Sequence, residues 1–327
     1  MERMTGSDGA ALAGDIPSFP PAPPSAPPHG EDSARRTHPV LVWYGAAYGA
    51  MERVGGCWMM SGMERSTPQE ARESLAWWLR NLAEDPATSR ADGRACREGA
   101  ALLERGCRDQ VTAAGRVFRV VRADRFCRFG LDGPERPRPT DPDALPEGRA
   151  CRAPGRFDHG PIPPPADAEA RAEAWTHIPR GPGVPPEVTR DARRAVVTHP
   201  AVVRVATRFA AAERANGAWP SHGPFLPSPA EVREHLAAYF DMVVPKMLRP
   251  SPFVLAEYRA AARLLRDGTR RSEVTVLGRL FRIIRVVYAV RIGADGPETP
   301  RPSDHAREDS RPGERGEVRG GGLLDGA

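Results

Sequence analysis

The sequence predicts an α+β protein built from an internal duplication. A hairpin–two-helix–hairpin repeat occurs twice, packed as a pseudo-two-fold pair, with disordered Pro/Gly-rich termini. Three observations predict this. The chain matches itself at a nearly constant offset, each copy opens a helix on the same capping signal, and each copy ends in a Val/Ile/Arg run of strand composition.

The self-match begins at Thr37-His38-Pro39, which recurs as Thr198-His199-Pro200, an offset of 161. The same offset carries ERVGGCW (52–58) onto ERANGAW (213–219) and TPQEARESL (67–75) onto SPAEVREHL (228–236). After a two-residue slip the offset is 163, and VTAAGRVFRVVR (111–122) meets VTVLGRLFRIIR (274–285) with seven of twelve positions identical. DGPERPRPTD (132–141) then meets DGPETPRPSD (295–304). Chance does not keep one register over about a hundred residues. The predicted organisation is a disordered Pro-rich segment 1–36, repeat 1 at 37–141, a Pro-rich linker 142–197, repeat 2 at 198–304 and a disordered tail 305–327. The linker holds one short predicted helix near 166–175. Pro (36) and Gly (32) accumulate in these flanks, which cannot bury enough apolar surface to order a chain.

Each repeat opens with a strand, a turn and a second strand. The turns fall at Gly55-Gly56 and Asn216-Gly217, and Asn-Gly is a strong hairpin signal. Thr67 and Ser228 then serve as helix N-caps. Pro68 and Pro229 occupy the first helical position, and Glu70 and Glu231 complete the capping box. A second helix is predicted at 92–106 and at 252–267. The final element, RVFRVVRADRFCRF in copy one, carries arginine at every third residue from Arg116 to Arg128. On an α-helix that stripe would drift by about 60° per arginine and leave no apolar face. Its copy, RLFRIIRVVYAVRI, is rich in Val, Ile and Tyr, so both read as strands, and Val274–Leu277 with Arg279–Ile292 form either a hairpin or one long strand bent at Gly278.

On a strand the arginines split between two faces. One face of copy two carries Leu280, Arg282, Ile284, Val286, Tyr288, Val290 and Ile292 and is read as the core side. The other carries Arg279, Phe281, Ile283, Arg285, Val287, Ala289 and Arg291 and is expected to be half-exposed. Arg119 and Arg282 therefore stand at equivalent positions on an apolar face. They either pair with an acid on the packed helix or form an anion or carboxylate site. The binding candidates are Arg119, Arg282, Arg122, Arg285, Trp58 and Trp219. The two tryptophans lie just past the hairpin turns, as ligand platforms or as cross-strand packing partners. The segments PERPRPTD and PETPRPSD are polyproline II arms, either partner motifs or arms crossing onto the other repeat.

Composition narrows the function classes. The 40% hydrophobic content supports a packed core, and the net charge of +5 suggests acidic partners. Of the 47 basic residues, however, only Lys246 is lysine, a skew that points to a GC-rich coding sequence rather than to phosphate binding. Cys57, Cys96, Cys107, Cys127 and Cys151 show neither a disulfide framework nor zinc spacing, so reduced structural thiols are expected. No signal peptide is expected. The longest apolar run, of about a dozen residues, is too short to span a bilayer, and no membrane partner is expected. His38 and His199 match across the copies without metal-ligand spacing. Neither a phosphate loop, nor a nucleophile elbow, nor a zincin motif occurs. No catalytic residue, metal or cofactor is assigned.

The helix start TPxEARxSL, the strand pattern VTxxGRxFRVVR and the arm DGPExPRP[ST]D together resemble the uncharacterised actinobacterial family called domain of unknown function 5954. The resemblance covers both repeats and implies no activity, cofactor or catalytic residue. The chain is thus expected to be a cytoplasmic, non-enzymatic binding or protein-interaction protein using the inter-repeat surface, its partner a protein or an anionic ligand. One alternative is nucleic-acid binding through Arg116, Arg122, Arg279, Arg285 and Arg291. The other is an enzyme with its site between the repeats.

Overall fold

The computed structural model describes residues 29–54, 56–60, 62–106, 108–145, 160–161, 178–179 and 184–309. In chain order the first part contains helix α1 (His29–Thr37), strands β1 (Val40–Val54) and β2 (Cys57–Met60), helices α2 (Pro68–Glu84) and α3 (Arg90–Glu104), then strands β3 (Gln110–Ala113), β4 (Arg116–Gly130) and β5 (Gly133–Pro134). Strand β6 (Gly160–Pro161) follows. The second part contains helix α4 (Pro186–Thr198), strands β7 (Ala201–Glu213) and β8 (Ser221–Leu226), and helix α5 (Pro229–Ala238). A π-helical turn (Tyr239–Val243) joins α5 to α6 (Val244–Leu248). Then come α7 (Pro252–Arg266), strands β9 (Glu273–Val276), β10 (Arg279–Gly293) and β11 (Gly296–Pro297), and α8 (Pro302–Asp309). The first half here means α1 to β5, and the second half α4 to α8.

The local signals behave as their chemistry requires. Thr67 Oγ1 accepts the Glu70 N–H at 3.1 Å, and Ser228 Oγ accepts the Glu231 N–H at 3.2 Å. Glu70 reaches back one residue past the cap to the Ser66 N–H at 3.0 Å, and the Thr67 hydroxyl satisfies the Glu70 N–H, an orphan donor of the first turn. The β3–β4 turn holds Ala114 and Gly115 at φ of 50° and 69°, and the β9–β10 turn holds Leu277 and Gly278 at 51° and 74°. Positive φ at both central residues matches the right-handed strand twist.

The fold is α+β with one eleven-stranded antiparallel sheet in the order β6-β2-β1-β4-β10-β7-β8, to which β3 and β5 add on β4, and β9 and β11 on β10. The two long strands meet at the centre, where Arg125 lies opposite Tyr288 and Asp124 opposite Ala289. Each changes partner along its length. β4 pairs β3 at Arg116–Arg119, receives the Glu298 carbonyl at the Arg122 N–H, and then pairs β10. β10 pairs β9 at Arg279–Arg282, receives the Glu135 carbonyl at the Arg285 N–H, and then pairs β4.

Both faces of this sheet are buried. On the inner face one core is shared by both halves, drawing Met51, Trp58 and Val121 from the first and Val203, Ile284 and Val286 from the second. Over this core Tyr44 on β1 donates its hydroxyl proton to the carbonyl of Trp219, in the β7–β8 connection, at 2.6 Å, although β4 and β10 lie between β1 and β7 in the sheet. On the outer face α2 and α3 cover Phe118 and Val120, while α5 and α7 cover Phe281 and Ile283. The face expected to be half-exposed is therefore closed by helices, with Phe281 and Ile283 buried. A strand with both faces covered does not show its outer side by alternation of polarity.

Residues 29–36, assigned to the Pro-rich segment, form most of α1, and 305–309, assigned to the tail, belong to α8. Residues 186–197 of the expected linker form α4, whose apolar side buries Val188, Ala192 and Ala195. The expected disorder of 1–28 and 310–327 and the helix near 166–175 lie outside the described residues. Among the described residues no helix is long and apolar enough to cross a membrane.

Candidate functional site

The six residues singled out from sequence fall into two sets. Arg119 stacks over Trp58 at 5.0 Å, and Arg282 stacks over Trp219 at 4.7 Å, both pairs on the inner face. Arg122 and Arg285 lie on the outer face. Every one of the four guanidinium groups meets an oxygen brought by the opposite half.

The motif DGPExPRP[ST]D supplies those oxygens, and nearly each of its positions has a task. Asp295 lies 3.4 Å from Arg119, and Asp132 lies 3.7 Å from Arg282. The Pro297 carbonyl accepts from Arg119 at 2.9 Å, and the Pro134 carbonyl accepts from Arg282 at 3.0 Å. The glycine between must be bare. A Cβ on Gly296 would lie 2.7 Å from Trp58 Nε1, and one on Gly133 would lie 2.9 Å from Trp219 Nε1. The Glu298 and Glu135 side chains each accept from the motif arginine, Arg301 or Arg138, at 2.6 Å. The final aspartates bind the outer arginines, Asp304 to Arg122 at 3.0 Å and Asp141 to Arg285 at 3.2 Å. The arms thus cross onto the opposite half. The expected acid on a packed helix is not the partner of Arg119 or Arg282: the acids come from the Asp-Gly turn of the other half, and Glu273 of β9 adds a bond to Arg282 at 2.5 Å.

The outer arginine of the first half sits in a denser network. Arg122 also binds Asp124 at 2.7 Å, and Asp124 accepts from Trp43 Nε1 at 2.9 Å and lies 3.6 Å from Arg301. Burial alone would push the Asp124 carboxyl up, but Arg122, Arg301 and Arg291 outweigh it and hold it well below the usual carboxylate range. Burial likewise opposes the charge of Arg122, and Asp124, Asp304 and Glu298 overcome that. In the second half the position matching Asp124 is Val287, and among the described residues the hydrogen-bond partners of the Arg285 side chain are Asp141 and the Thr207 hydroxyl.

A Thr-His-Asp set recurs. Thr37 Oγ1 lies 2.9 Å from His38 Nδ1 and His38 Nε2 lies 3.4 Å from Asp132, while Thr198, His199 and Asp295 repeat both distances. Both threonine hydroxyls also lie 3.1 Å from a carbonyl one helical turn back, so each set ties a helix end to the Asp-Gly turn. His199 borders a cavity of about 420 Å³ with Arg194, Asp295 and Arg301, and burial lowers its pKa. A second cavity of about 390 Å³ lies between α3 and β3. Neither is lined by Arg119 or Arg282. Among the described residues, no three His, Cys, Asp or Glu side chains are placed to hold a metal.

One surface feature was not singled out from sequence. Met242 in the π-helical turn, Met247 and Leu248 at the end of α6, and Phe253 at the start of α7 are 57%, 61%, 60% and 73% exposed. Lys246 and Arg249 are exposed among them. Two signals point here: the offset between the copies slips from 161 to 163 in this interval, and Lys246 is the chain's single lysine.

Residues 30–307 match the family of unknown function DUF5954, and the chain belongs to that family. No curated protein and no solved structure matches it.

Proposed function

We propose that the chain is a non-enzymatic binding protein. In this reading two duplicated halves, packed as a pseudo-two-fold pair, form a closed scaffold that presents the α6–α7 corner to a partner. The exposure of Met242, Met247, Leu248 and Phe253 carries the proposal, because several large apolar side chains left exposed within one short segment of a folded protein mark an interaction site. Methionine suits such a surface, being flexible and polarizable. The reciprocal arms and the paired Arg–Trp stacks support the duplication.

The surface between the halves is filled by the protein's own arms, so the binding face moves outward to the corner. The arginines of the nucleic-acid alternative support it less: Arg116, Arg122, Arg279 and Arg285 are each bound to a carboxylate of this chain. Phosphate contact depends on free guanidinium groups. The test is a photo-crosslinking residue placed at Phe253 or, as control, at the exposed loop residue Leu131, in intact cells. Adducts are expected from position 253 and not from 131. Equal labelling would discard the corner as the binding face.

A further inference from the structure

We infer that the α6–α7 corner docks on an anionic lipid bilayer. This rests on the reading of that corner as the binding face, and three observations name the chemistry. First, the four apolar side chains are more than half exposed and so are open to solvent. Exposed apolar side chains with cations beside them suit the headgroup–acyl boundary, which takes up both. Second, the segment 242–253, MVVPKMLRPSPF, holds two cations and no carboxylate. Neither Lys246 nor Arg249 has an ion-pair partner among the described residues. The neighbouring Asp241 is already held by Arg266 at 2.6 Å, and Glu257 lies about one helical turn beyond Phe253. Third, Arg249 ends α6 in the left-handed region at φ 45°, a position that glycine fills at less strain. The strain is borne while an exposed cation is kept at the end of α6.

The arrangement matches what an interfacial anchor requires. Phe253, Leu248 and the methionines enter the boundary, while Lys246 and Arg249 reach headgroup phosphates with their stems lying along apolar surface. No spanning segment is needed. A second copy of the chain fits the corner less well, because a two-fold contact would set Lys246 and Arg249 against themselves.

The experiment is flotation of the full chain with vesicles of equal parts phosphatidylglycerol and phosphatidylcholine, and with phosphatidylcholine alone. The wild-type chain is expected to float with the anionic vesicles. The variant Lys246→Glu/Arg249→Glu should bind them at least roughly thirty-fold more weakly, the loss of two surface cations. Met247→Ser/Leu248→Ser/Phe253→Ser should lose flotation with an unchanged unfolding midpoint, since these side chains are solvent-exposed. In Phe253→Trp the indole emission should shift to the blue on anionic vesicles. Failure of the wild-type chain to float, or equal flotation of wild type and variants, overturns the lipid proposal. If vesicles fail while position 253 crosslinks to a protein in cells, the corner remains a binding face for a protein. If both fail, both readings fall.

Discussion

The helical layers of the two halves differ more than the strands they cover. In the first half α2 runs unbroken from Pro68 to Glu84 and packs Leu75, Trp78 and Leu79 against β4. In the second half the helix that starts on the same cap breaks at Tyr239 into a π-helical turn, continues as the short α6, and leaves Met242, Met247 and Leu248 in solvent. Aligned positions 81, 84 and 85 of the first half are Asn, Glu and Asp, where the second has Met242, Pro245 and Lys246. The ionic layers differ in the opposite sense. The first half buries Asp124 beneath three arginines, whereas the second has Val287 there. One half concentrates its special chemistry in the interior and the other on the surface. The central strands of both halves accept the opposite arm, while the helices that cover them differ.

The largest expected effect tests whether the halves are equivalent at their shared core. Trp58→Ala and Trp219→Ala should each lower unfolding stability by about 3–5 kcal/mol, read by denaturant titration. The two losses should agree within about 1 kcal/mol, because each ring packs on one arginine and one bare glycine of a matching turn. A large inequality would break the equivalence.

The next effect sharpens the contrast in the ionic layer. Asp124→Asn should destabilise by about 3–5 kcal/mol, since it leaves buried guanidinium charge uncompensated. Asp141→Asn should lose only about 1–3 kcal/mol, because Arg285 retains Thr207 and some contact with water. The pH dependence follows. The folded-state pKa of Asp124 lies below the ordinary aspartate value of 3.8, so its contribution is full above that value and is lost as pH falls through the folded pKa. Asp124→Asn should flatten the acid limb of the stability curve, and an unchanged limb would show that other carboxylates control it.

The smallest effect returns to a feature common to both halves. Ala114 and Leu277 hold left-handed backbone ahead of glycine. Ala114→Asn and Leu277→Asn should each raise stability by about 0.5–1 kcal/mol, since asparagine tolerates that region and Asn-Gly favours the turn. A loss at Leu277 alone would mean that its partly exposed side chain packs on something that Ala114 lacks.

Much of the fold was legible in the chain itself. The caps at Thr67 and Ser228, the turn at Asn216-Gly217 and the strand character of the arginine runs depend on interactions reaching about four residues, and these read directly from sequence. The self-match likewise needs only the order of residues. The candidate site was legible in part. Arg119, Arg282, Trp58 and Trp219 stood out at matched positions, but nothing local showed that each arginine stacks on a tryptophan of its own half and takes its carbonyl from the other. Those partners lie far apart in sequence, as Arg119 and Pro297 do, and only the pairing of β4 with β10 brings them within hydrogen-bond distance. The burial of the face bearing Phe281 and Ile283 was decided the same way, because helix packing and not strand alternation determines which sheet face meets water. The sequence alone determined the caps, turns and strands of both copies. Tertiary structure decided which charges neutralise one another and which apolar side chains, Met247 and Phe253 among them, stay without cover, because pairing and burial depend on distances that chain order does not carry.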